Sequence, residues 1–108
     1  MELPKVIKAL LSAQAAFNSE DYAKCFTPDA VVFDEGATHT GRQEIKHWNE
    51  KTNANYQITL EPVAYSASEQ TSILKTEVSG TFPGSPIVLL YHFTLKDEMI
   101  TALTITGS

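Results

Sequence analysis

Val6, Leu10, Ala13 and Phe17 recur at helical spacing near the start of the chain, with Ile7 beside them. This stripe predicts an amphipathic helix over residues 4–17, with Pro4 in its first turn. Asn18-Ser19-Glu20-Asp21 then reads as a break and a new N-cap. A short helix follows through Tyr22, Cys25 and Phe26, and Pro28 halts it.

Residues 30–34, Ala-Val-Val-Phe-Asp, are rich in β-branched side chains, end at Glu35-Gly36 and predict the first strand. Alternation along it puts Ala30, Val32 and Asp34 on one face and Val31 and Phe33 on the other. After a loop, Thr40-Gly41-Arg42-Gln43 has the form of a capping box, in which Thr40 and Gln43 satisfy each other's backbone donors. It opens a third helix with Ile45 and Trp48 inward and Lys46, Glu50 and Lys51 outward, fraying near Asn53–Asn55. From Tyr56 the period becomes two, with Tyr56, Ile58 and Leu60 alternating with polar residues and Pro62 marking a bulge or an edge. Further strands are predicted over about 70–82, 86–95 and 99–106, with turns at Phe82–Pro86 and Lys96–Glu98. Such short connections demand antiparallel neighbours. Helices first and strands later define an α+β class, with the helices on one face of a curved antiparallel sheet.

Composition narrows this picture. A chain of 108 residues suits one domain spanning 1–108, and 43% hydrophobic against 19% charged residues supplies a core. A net charge of -5, with eight basic residues scattered along the chain, opposes nucleic-acid binding, which depends on clustered Lys and Arg. Glu2, Lys5 and Lys8 interrupt the apolar N-terminus and no apolar run approaches the ~20 residues of a membrane span, so a soluble cytoplasmic protein is expected. Cys25 is the only cysteine and reads as a buried structural thiol. The histidines lack zinc-ligand spacing and no phosphate-binding glycine loop occurs, so no metal and no cofactor are expected.

Asp34 is the principal chemical candidate. In an apolar pocket a carboxylate gains basicity and can take a proton from carbon beside a carbonyl. On an open turn it would only accept hydrogen bonds from Glu35-Gly36 or from Thr38 and Thr40. An enolate formed by such a base also needs hydrogen-bond donors. On the late strand Tyr91 shares a face with Ile87, Leu89, Phe93 and Leu95, while His92 lies on the other. His39 follows Asp34 in a loop where it could overhang a pocket mouth, and His47 reads as exposed. Trp48 is a pocket wall or core filler, and the aromatic set Phe17, Tyr22, Phe26, Trp48, Tyr56 and Phe93 is compatible with an apolar ligand site.

The order helix, helix, strand, helix, then four strands resembles the NTF2-like superfamily, particularly its SnoaL-like and ketosteroid-isomerase-like members. The resemblance covers essentially the whole chain. It rests on Phe26-Thr27-Pro28-Asp29-Ala30-Val31-Val32-Phe33-Asp34, on Thr40-Gly41-Arg42-Gln43-Glu44-Ile45, and on a final hairpin around Phe93 and Ile100. It implies a cone-like sheet closed by helices around a mostly apolar pocket, and a homodimer formed through the sheet. It places Asp34 at the general base of the isomerases and Tyr91 near a late-strand donor. It places Ala13 near the position of a helix tyrosine, so that donor is absent. The implied activity is cofactor-free isomerisation, cyclisation or dehydration of an apolar carbonyl compound, with Asp34 and Tyr91 catalytic and Trp48, Phe17, Tyr56, Phe93 and His39 contacting ligand. The alternative is a non-catalytic ligand-binding or dimerisation module of the same fold.

Overall fold

The computed structural model describes residues 1–69 and 71–107. The elements run α1 (Lys5–Ala15), α2 (Ser19–Lys24), β1 (Phe26–Asp34), β2 (Ala37–Thr40), α3 (Gly41–Tyr56), β3 (Thr59–Ser68), β4 (Thr71–Ser79), β5 (Ile87–Lys96) and β6 (Met99–Gly107). The strands form one sheet in the order β2-β1-β6-β5-β4-β3. Adjacent strands are antiparallel except β1 and β6, which run parallel. The sheet is therefore mixed rather than wholly antiparallel. The short turns do join antiparallel neighbours, but most of the chain separates β1 from β6, and that distance permits the parallel pairing.

Register shifts at Pro62/Ala64, at Thr94/Leu95 and between Phe26 and Val31 bend the sheet, and the three helices close its inner face. Pro28 lies in the last of these, where a missing N–H costs no ladder bond. It does not end α2, which stops at Lys24, because β1 already begins at Phe26, with Ile100 N–H donating to Cys25 O at 3.0 Å. Inside the cone, Ile7, Leu10, Phe26, Val32, Ile45, Leu74, Phe93, Ile100 and Leu103 are sealed from solvent. No helix among the described residues is long and apolar enough to cross a membrane.

Asn18 caps α2, its side chain accepting from Asp21 N–H at 3.0 Å. Thr40 belongs to β2, paired with Val31, and makes no side-chain cap; its N–H donates instead to Glu44 Oε1 at 2.8 Å. Gln43 therefore does not close a capping box. Tyr56 ends α3 rather than opening a strand. Gln57 takes a left-handed cap, and Asn53 is held by a 2.8 Å bond from Gln14 Nε2, so the last turn does not fray.

Candidate functional site

A cavity of about 1070 Å³ opens between α3 and the concave face of the sheet. This lies just above the roughly 300–1,000 Å³ usual for small-molecule sites. Asp34, at the end of β1, lines it from the strand face whose Ala30 and Val32 are sealed in the core, while Phe33 lies on the other face and is exposed. Phe33 pairs with Thr104, so the next row of the parallel ladder sets Asp34 beside Ile105, and Ile105 pairs with Tyr91. Asp34 and Tyr91 thus stand on the same sheet face on either side of Ile105, two strand spacings or about 10 Å of backbone apart.

Tyr22 supplies a second phenol from α2. It is fully buried, tilted against Trp48 with ring centroids 6.2 Å apart, and lines the cavity. Ser72 Oγ is the one sealed side-chain nitrogen or oxygen among the described residues that lacks a partner. The hydroxyls of Tyr22 and Tyr91 bond to no protein group among those residues, and so they open onto the cavity. The sequence reading located one donor, Tyr91, and found the helix position empty at Ala13, which is buried. Tyr22, nine residues further on, is legible in the sequence only as one of six aromatics compatible with an apolar ligand site, not as a donor. A tyrosine where a phenylalanine would pack equally well was the available signal.

The site's electrostatics follow from this setting. Burial raises the Asp34 carboxyl from 3.8 to about 6, and the Glu35 charge adds to the rise. The Trp48 side chain and the Glu35 backbone N–H donate to the carboxylate and oppose it. Burial raises the Tyr91 phenol, and the Asp34 charge raises it further. Tyr22 is raised chiefly by burial, then by Tyr91, Cys25 and Asp34. Both phenols therefore stay protonated donors near neutral pH while Asp34 titrates there.

Among the other candidates, Trp48 and Tyr56 line the cavity, and His39 lines it while stacked on Trp48 at 5.4 Å. Two are not brought together with them. Phe17 lies past the end of α1 in a left-handed conformation, exposed and away from the cavity, because the chain reverses there to enter α2. Phe93 is buried in the core two residues beyond Tyr91 and does not line the cavity. His92 is on the outer face, bonded to Thr106 Oγ1 at 2.9 Å. Cys25 is buried, its thiol donating to Asp21 O at 3.6 Å and raised by burial and then by Asp21. Among the described residues no three His, Cys, Asp or Glu side chains gather as metal ligands would.

One wall of the cavity is polar. Asn49 Oδ1 accepts from Ser19 Oγ at 2.6 Å and from Asn53 Nδ2 at 3.1 Å, and Asn49 Nδ2 donates to Gln14 Oε1 at 2.9 Å. Gln14 Nε2 donates to Asn53 Oδ1 and to Ile58 O, both at 2.8 Å. This network ties α1, α2 and α3 together beneath the site.

A bent sheet closed by three helices, with a carboxylate and two phenols in its hollow, defines an NTF2-like cone of the ketosteroid-isomerase-like kind. The chain belongs to the SnoaL-like domain family, whose model matches residues 7–103. A Sinorhizobium meliloti protein provisionally named a polyketide cyclase is 35% identical, with a TM-score of 0.93 over 96% of this chain and 95% of that one. A Catenulispora acidiphila protein of ketosteroid isomerase-like fold, solved in complex with trimethylamine, is 21% identical with a TM-score of 0.89 over 99% and 88% of the two chains. SalBIII, an epoxide hydrolase/cyclase-like enzyme of pyran ring formation in the polyether salinomycin, is 16% identical with a TM-score of 0.82 over 96% and 88%. At the two lower identities the likeness is one of fold. A search of curated proteins finds no match.

Proposed function

We propose that the protein is a cofactor-free enzyme that moves a proton at carbon beside a carbonyl of an apolar small molecule. Asp34 as its carboxylate takes the proton from carbon, and the C–H electron pair becomes the enolate. The hydroxyls of Tyr22 and Tyr91 donate to the enolate oxygen. Asp34, now a carboxylic acid, returns the proton to another carbon in an isomerisation; alternatively the enolate carbon attacks a second carbonyl of the same molecule, whose C=O π pair becomes an alkoxide that takes the proton back from Asp34 as the ring closes. The observation that carries this reading is the pair of unpartnered cavity phenols opposite a carboxylate raised to about 6. The naming of the 35% identical relative as a polyketide cyclase supports the same chemistry.

The test is deuterium exchange at the carbon beside the carbonyl of 2-tetralone, followed by NMR together with the Asp34 carboxyl titration. Exchange that rises with a midpoint near pH 6 and falls about a hundredfold in Tyr91→Phe is expected. Binding of the ketone without exchange would leave a ligand-binding module instead.

We further propose that the outer face of the sheet pairs two copies of the chain. Phe33, Thr104, His92 and Ile73 lie in one row across it, and Phe33 and Ile73 are 46% and 39% exposed. Sedimentation at micromolar concentration should give a dimer, and Phe33→Glu a monomer that keeps the fold. A monomeric wild type would overturn this pairing.

A further inference from the structure

Along the inner face of β5 the cavity runs from Tyr91 past Leu89 to Ile87, about 13 Å of strand. Beyond Ile87 stands Phe82, from the β4–β5 loop, packed edge-on against Tyr56 with ring centroids 6.1 Å apart and 89° between planes. The loop that carries it is held rather than free. Thr81 N–H donates to Tyr56 O at 2.7 Å, Thr81 Oγ1 to Asn55 O at 3.3 Å, and Gly80 N–H to Ser85 Oγ at 2.9 Å. The Phe82 ring lies close over Gly80, where an added Cβ would stand 3.1 Å from it and 2.5 Å from Tyr56 O. Only a glycine lets ring and helix end approach so closely.

The geometry points to Phe82 as the residue that limits ligand length: pinned over Gly80 and against Tyr56, it stops the apolar end of a molecule whose carbonyl lies between Asp34 and Tyr91. This rests on the proton-transfer reading for the carbonyl's place but not for the stop itself. A ligand whose carbonyl sits by Tyr91 can extend past the half-buried Leu89 to Ile87, 40% exposed near the mouth, covering apolar surface with each methylene until it meets the ring. Asp34 at one end and Leu89, Ile87 and Phe82 along the sheet wall suit an elongated monocarbonyl compound whose apolar tail follows β5, while the Gln14, Asn49 and Asn53 amides of the facing wall are bonded to one another.

The test uses the straight-chain methyl ketones from 2-hexanone to 2-tetradecanone, with binding read by titration calorimetry and turnover by deuterium exchange. In the wild type, affinity should climb by about fourfold per methylene and then stop climbing at a definite length. Phe82→Ala should move that break to longer ketones and Phe82→Trp to shorter ones. A break that stays put in both folded variants, or no break at all, would overturn the inference. Because binding is read separately, loss of exchange with the break still shifting would sink the proton-transfer reading and leave the length limit standing. Exchange with an immobile break would do the reverse.

Discussion

Asp34→Asn is expected to slow deuterium exchange into a bound ketone by a hundredfold or more while making the protein more stable at pH 8. The first effect follows from the loss of the general base, typically worth about 10²–10⁴ in rate. The second follows from the raised pKa. Asp34 holds its proton more tightly in the folded protein, about 6 against 3.8, so its contribution is most favourable below about pH 4. As the pH rises through 6 the folded state must carry a poorly solvated anion, and that contribution is lost. An amide carries no such charge, so Asp34→Asn should match the wild type in stability at pH 3.5 and exceed it at pH 8. After discounting for solvent around a half-buried carboxylate, the gain is about 1 kcal/mol, or roughly 4 °C in Tm. Urea denaturation at the two pH values measures it. Equal stability at both would mean that Asp34 titrates as an ordinary surface acid, and the proton-transfer reading would lose its base.

Asn49→Ala should have the largest effect on stability, a loss of about 3 kcal/mol with no dependence on pH between 5 and 8. Three partners lose their bonds at once: Ser19 Oγ and Asn53 Nδ2, which donate to Asn49, and Gln14 Oε1, which accepts from it. Ser19 and Gln14 are themselves buried, so water reaches them poorly. The midpoint of urea unfolding reports the change. A loss under about 1 kcal/mol would show that water takes over the severed bonds.

The local pattern carried much of this structure. The stripe of Val6, Leu10 and Ala13 marked α1, Asn18 marked the start of α2, and period-two alternation grouped Asp34 with Ala30 and Val32 and Tyr91 with Leu89 and Phe93, while only the family resemblance pointed those faces inward. What local pattern could not carry was pairing between distant segments. The parallel contact of β1 with β6 leaves no trace in either strand alone, and Ala37–Thr40 became a strand only because β1 offered it an edge. Tyr56 fitted a strand by alternation, yet Gln57's left-handed cap and Gln14's grip on Asn53 ended the helix there. The site was legible to the same degree. Asp34, Tyr91, Trp48, Tyr56 and His39 all reach the cavity, but Phe17 and Phe93 do not, since periodicity gives a face and says nothing of depth along the cone. Tyr22 needed the third dimension, because α2 aims its hydroxyl at residues that lie elsewhere in the sequence.

Trp48 is the only tryptophan in the chain, and it stands between His39 and Tyr22 with its side chain donating to the carboxylate that titrates. Its indole emission therefore comes from the wall of the cavity and from nowhere else in the molecule. Ligand arrival, ionisation of Asp34 and rearrangement of the stacked imidazole all alter the surroundings of that one fluorophore. The protein thus carries a built-in optical reporter of its own site, readable without label or engineered probe.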